Sequence, residues 1–231
     1  MRYFACIFLS PARQSITMQK NGIILLAFYI AAISSVSAED ALESELSGQP
    51  APSSIWVTEV GSGFRKDTLN AGIAVGTGSG AKIFGSLERH YLALAYGHLG
   101  WIATDVLGDG KWYKGNLEIW GEVFAGAQYH PGVHYLAGIV FGPRYHFSID
   151  SRWVPFIDAG AGLAATSIGE PDLNTIFEFN LQIGIGAQYF LQEDLALHML
   201  FRGIHLSNAG IKGPNRGVNS FLFMGGLSWF F

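Results

Sequence analysis

The sequence predicts an all-β fold: an eight-stranded antiparallel transmembrane β-barrel of the outer-membrane type. Three observations carry that reading. Charged residues are only 14% of the chain, where soluble domains average about 25%. Glycine totals 30 and aromatics reach 14%, yet no apolar run is long enough to cross a bilayer as a helix. Third, the late part of the chain alternates apolar and polar residues with the two-residue period of a strand.

The elements follow in order. Residues 1–38 read as a signal peptide: Lys20 precedes an apolar run from Gly22 to Ile33, and Val36-Ser37-Ala38 is a small-residue cleavage pattern before Glu39 and Asp40. Met18 lies just ahead of this unit and is an alternative start. The single cysteine, Cys6, falls inside it, so the exported chain has no thiol for disulfides, thiolate metal ligands or nucleophilic sulfur. Of the 14 basic residues, Arg2, Arg13 and Lys20 also fall inside it, leaving eleven against 18 acidic ones. That balance excludes a nucleic-acid-binding surface. Residues 39–69 form a polar periplasmic lead-in, in which Ile55 to Arg65 has the length of a short strand or a terminal cover.

Residues 70–231 then divide into eight segments of barrel-strand length, near 70–85, 90–104, 115–129, 134–148, 152–166, 176–191, 194–207 and 218–231. The sixth is the clearest. Phe177, Phe179, Leu181, Ile183, Ile185, Ala187 and Tyr189 alternate with Glu178, Asn180, Gln182, Gly184, Gly186 and Gln188. One face suits lipid and the other a narrow, packed interior. The third repeats the code, with Leu117, Ile119, Val123 and Ala125 against Glu118, Glu122 and Gln128. Glu118, Glu122, Glu178 and Arg202 read as an interior ion network. The histidines at 90, 98, 130, 134, 146 and 198 read as interior filling or loop residues. Side chains fill a barrel this small, so it is no diffusion pore.

His205 and Ser207 stand two residues apart at the end of the seventh segment, and positions i and i+2 of a strand share a face. An imidazole beside a hydroxyl is the minimum for a base-activated serine. Parity assigns the face. With Arg202 inside, where a charge escapes the roughly 2–4 kcal/mol cost of the lipid face, Leu197, Met199, Phe201, His205 and Ser207 face lipid. The same parity sets Asn219, Phe221, Phe223 and Trp229 outward on the eighth segment. A crossing takes about 9–11 residues, so Asn219 lies near the outer rim, across the hairpin from the pair. A polar group there meets lipid headgroups, and a lipid ester is the natural ligand. Lys212 and Arg216, in the connecting turn, are candidates for lipid phosphate contact. No His/Asp/Glu cluster has metal-ligand spacing, so neither metal nor cofactor is expected.

The stretch His205-Leu-Ser207-Asn208-Ala-Gly, followed by Pro214-Asn215-x-Gly217, resembles the active-site signature of the outer-membrane lipid A 3-O-deacylases. The resemblance implies that Ser207 is the nucleophile and His205 its base. It further implies an oxyanion hole from Asn215 and backbone N–H groups near Ala209 and Gly210, with Asn208 shaping the turn. Members of that family carry a Glu where Asn219 stands here, and the added charge of Asn219→Glu is expected to raise a weakened activity. The resemblance also implies lipid A or lipopolysaccharide as substrate and a multi-pass barrel in the bacterial outer membrane. The C-terminal Phe231, with Trp229 two residues before it, resembles the signal read by the barrel assembly machinery. A non-catalytic barrel serving membrane structure, adhesion or lipid binding is the alternative reading, and the apolar outer wall leaves room for a homodimer.

Overall fold

A computed structural model describes residues 65–148 and 151–231. The expected signal peptide, nearly all of the lead-in and the segment 55–64 lie outside the described residues. Eight strands, β1 (Leu69–Gly80), β2 (Tyr91–Ile102), β3 (Gly115–His130), β4 (His134–Phe147), β5 (Trp153–Thr166), β6 (Phe177–Phe190), β7 (Leu195–Ser207) and β8 (Val218–Phe230), close into one antiparallel barrel. Each pairs with its sequence neighbours, and β1 closes on β8 from Asn70↔Phe230 to Gly80↔Ser220. Closure leaves no free strand edge, the requirement for a β-structure in lipid.

The alternating pattern determines which side faces in. On β6 Glu178, Asn180 and Gln182 are buried while Ile183 and Ile185 are 70% and 62% exposed, so the large apolar face is the outer wall. The barrel has two rims. One carries the strand ends Leu69 and Phe230; the other carries the β1–β2, β3–β4, β5–β6 and β7–β8 loops and is called the loop rim below.

The interior is layered rather than uniformly polar. Leu92, Leu136, Leu206, Val218 and Leu222 belong to a large apolar cluster that Leu173, from the β5–β6 loop, joins. A smaller cluster of Ile102, Val154, Phe190, Ala196 and Phe230 closes the opposite end. Elsewhere in the interior, Arg202 bridges Glu122 and Asp158, the latter at 3.0 Å, and Arg144 reaches Asp158 at 2.9 Å. His98 spans two carboxylates, Glu118 at 2.8 Å and Glu122 at 3.0 Å, and His146 meets Glu118 at 2.6 Å. Arg144 also stacks over Phe156 at 4.4 Å. Every charge is buried, and each is met by an opposite charge or a hydrogen-bonding partner, the only form in which ionised groups persist in such a place.

Two expectations change. Glu178 is not in this network; its Oε1 accepts the hydroxyl of Thr175 near the loop rim. The first strand is shorter than its apolar pattern, ending at Gly80, because residues 81–90 turn into a loop in which Phe84 adopts φ 52°.

Candidate active site

The β7–β8 hairpin builds the site. The register sets His205 directly opposite Asn219, and across one ladder step side chains on the same face are within reach. His205 Nδ1 lies 2.7 Å from Asn219 Oδ1. The amide is not free to rotate, since its Nδ2 donates to the Ile83 carbonyl of the β1–β2 loop at 3.0 Å. The oxygen must therefore face the ring, so Nδ1 is the donor and a neutral imidazole keeps Nε2 as its basic nitrogen. The Ile83 carbonyl thus sets the tautomer of a ring it does not contact.

Two further residues hold the ring. Phe84 meets it edge-on, with centroids 6.2 Å apart. Gly217 lies so near that an added Cβ would stand 2.8 Å from His205 Cε1, and its φ of +79° is itself a glycine conformation. Asn219 belongs to the outward-facing parity of β8, yet it is buried, because the β1–β2 loop folds over it.

A cleft of about 430 Å³ opens on this wall, lined by Phe84, Leu181, His205, Ser207, Asn215, Arg216 and Gly217. Ser207 and His205 therefore share one opening. Asn215 Oδ1 accepts the Asn208 N–H at 3.1 Å, which leaves its Nδ2–H groups as the donors available to the cleft. Asn208 makes the turn: its side chain accepts from Gly210 N–H at 3.0 Å and donates to the Lys212 carbonyl at 2.8 Å. The Gly210 N–H is thus committed to Asn208, and Gly210 does not line the cleft. Lys212 is exposed at the loop tip, whereas Arg216 reaches the cleft wall.

Asp172, in the β5–β6 loop, stands behind the site. Its Oδ1 accepts Leu87 N–H at 2.8 Å, and its Oδ2 accepts Glu88 N–H at 3.0 Å and the His90 ring at 2.8 Å. Burial alone would raise its carboxyl pKa; the Leu87 N–H, the His90 ring and the Glu88 N–H outweigh that and hold it below the ordinary value.

Ile83, Phe84 and Asp172 carry no role in the sequence reading, Gly217 enters it only as part of the signature, and Leu181 only as a lipid-facing residue. Leu181 could have been found, since it faces outward on β6 and its register partner is His205. The other four act through loop contacts that no periodicity encodes.

Fold and site together define a barrel of the outer-membrane class bearing a His–Asn pair and a serine on its lipid-facing wall. A family model described as lipid A 3-O-deacylase (PagL) matches residues 92–228, and the chain belongs to that family. The lipid A deacylase PagL of Pseudomonas aeruginosa is 39% identical over 80 residues, 33% of this chain and 43% of that protein. The match thus spans less than half of that relative's length. The crystal structure of the outer membrane enzyme PagL superposes with a TM-score of 0.52 at 23% identity, covering 67% of this chain and 97% of that one. Neisserial surface protein A gives 0.51 at 18% identity, covering 71% and 96%. The two are nearly equal as likenesses, so the barrel alone does not separate an enzyme from a surface protein.

Proposed function

We propose that this chain is an outer-membrane serine esterase that removes the ester-linked 3-O acyl chain from lipid A or lipopolysaccharide. The observation that carries the proposal is the Asn219-oriented imidazole of His205 sharing a cleft with Ser207 on the apolar wall. Membership in the lipid A deacylase family supports it. In this reading residues 1–38 direct export, the terminal Phe231 serves recognition by the barrel assembly machinery, and the loop rim lies at the outer leaflet.

His205 Nε2 takes the Ser207 proton as Oγ forms a bond to the ester carbonyl carbon. The resulting oxyanion is met by Asn215 Nδ2–H, a contact worth about 2.7–4 kcal/mol at the transition state. The bond to the sugar oxygen breaks, and His205 returns its proton to that oxygen. Water then gives a proton to His205 and attacks the acyl-serine, releasing the fatty acid and restoring Ser207. Asn219 fixes the tautomer but adds no negative charge to the imidazolium, which a carboxylate would stabilise.

The wall beyond the cleft suits an acyl chain. Ile183, Gly203 and Phe221 lie two residues further along the faces of Leu181, His205 and Asn219. They begin an apolar groove of about 530 Å³ that continues past Ile157 to Leu117 and Tyr145. Arg216, at the cleft wall, is the better-placed partner for a lipid phosphate; Lys212 at the tip is the second.

Mass spectrometry of lipid A after expression in an outer-membrane host tests the proposal. Loss of one 3-linked hydroxyacyl chain, abolished by Ser207→Ala and by His205→Ala, is the expected result. Unchanged lipid A in the presence of folded protein would overturn it and favour a lipid-binding barrel.

A further inference from the structure

Two separate loops hold the His205–Asn219 pair, and one buried residue outside the cleft joins those loops. The β1–β2 loop supplies the Ile83 carbonyl to Asn219 and Phe84 to the ring. The β7–β8 loop supplies Gly217, packed against the ring. Asp172 binds both. Its carboxylate gathers the N–H groups of Leu87 and Glu88 and the ring of His90, with Ser86 Oγ 3.4 Å away. Its main-chain carbonyl accepts Arg216 N–H at 2.8 Å and Gly217 N–H at 3.2 Å. The side chain thus secures one loop and the backbone of the same residue secures the other.

Glu88, His90 and Asp172 approach one another as the ligands of a cation might. The donors decide against that reading. Two backbone N–H groups and an imidazole N–H converge on the Asp172 carboxylate, which is how a protein satisfies an anion; a cation there would face those same positive dipoles. His90 is in turn held by Gln128 Oε1 at 2.6 Å, so the cluster is closed on the barrel side as well.

From this arrangement we infer that Asp172 is a positioning residue for His205. By tying the β1–β2 and β7–β8 loops together it keeps the Ile83 carbonyl on Asn219 and Gly217 on the imidazole, and so holds the tautomer with a free Nε2. The inference rests on the serine-esterase reading for its catalytic consequence, but not for its structural one.

Imidazole ¹⁵N spectra of the full barrel folded in detergent micelles test it directly. In the parent, His205 should show the single Nδ1–H tautomer. In Asp172→Asn it should show a mixture of both tautomers, with kcat for lipopolysaccharide deacylation falling about tenfold and KM changing less than about twofold. A double-mutant cycle adds the coupling. If Asp172 acts through Asn219, Asp172→Asn on top of Asn219→Ala should cost no further activity. An unchanged His205 tautomer, or losses that simply multiply, would overturn the inference. Should Asp172→Asn fail to assemble, Leu87→Pro removes one donor to the same carboxylate and should produce the same changes at smaller amplitude; an unmoved tautomer there would also overturn it. A parent as inactive as Ser207→Ala would sink the esterase reading alone, because the tautomer still reports on Asp172.

Discussion

Two His-x-Ser pairs occur in this barrel, His146–Ser148 and His205–Ser207, and they lead opposite lives. His146 has inward parity on β4, is fully buried, and gives its Nε2 to Glu118 in the interior ion network. His205 has outward parity on β7 and is hydrogen-bonded through Nδ1 to a neutral amide, while the ring lines an open cleft. The spacing is identical, so spacing does not make a site. What differs is the face of the wall and the charge of the partner. Inside, the imidazole belongs to a set of ions that stabilise one another; outside, it is oriented and left with a nitrogen to use.

Substitutions on the two faces should separate activity from stability. The largest effect is expected at Ser207→Ala: a loss of at least about a thousandfold in fatty-acid release, with the folded band on an unheated gel unchanged. The interior answers in reverse. Arg202→Met takes one cationic partner from both Glu122 and Asp158, leaving them to His98 and Arg144, and breaking such a pair costs up to about 3–5 kcal/mol. Denaturant unfolding in micelles should show that loss, and full stability of the variant would mean the network is not what holds the barrel centre.

Asn215→Ala comes next, with kcat expected to drop about a hundredfold through loss of an oxyanion donor while chain binding is retained. A rise in KM alone, with kcat intact, would remove Asn215 from that role. Asn219 offers a finer contrast. A carboxylate at 219 adds charge behind the imidazole, but it cannot donate to the Ile83 carbonyl and would face it instead. Asn219→Asp should therefore lower deacylation several-fold, roughly threefold to tenfold; a rise would show that charge outweighs orientation, and Asn219→Glu asks the same with a longer reach.

The smallest effect is a pH dependence. Because the Asp172 pKa is depressed on folding, its contribution is complete above the ordinary carboxyl value of about 3.9 and is lost as pH falls through the lower folded value. Pepsin cleavage beside the exposed Phe84 should stay slow at pH 4 and accelerate below it. Cleavage that is already fast at pH 4 would argue that Asp172 does not restrain the loop.

Much of this was legible before any coordinates. The period-two pattern of residues 177–189 marks lipid-facing and interior faces, and the observed burial alternates with it from Phe177 to Ile185. Parity counted from Arg202 correctly brings His205, Ser207 and Asn219 to one outer wall. Less legible was the interior chemistry. Arg144 and Asp158 are isolated in sequence, 14 residues apart, and only barrel closure brings them to Arg202. Glu178 has the right parity for the network but the wrong height. The local partner of Gly210 was not legible either: Asn208 folds back on the turn and takes that N–H, a choice between partners that composition does not reveal.

Sequence by itself determined the strands, their faces and the side of the wall on which His205-x-Ser207 stands. Those follow from a two-residue repeat, which is a property of the covalent backbone and survives any arrangement of neighbours. Only tertiary structure decided what makes that pair more than two interfacial residues. The Ile83 carbonyl that orients Asn219, the Phe84 edge and the Asp172 link between loops all join residues from separate hairpins, and a hydrogen bond across that distance exists only once the barrel has closed.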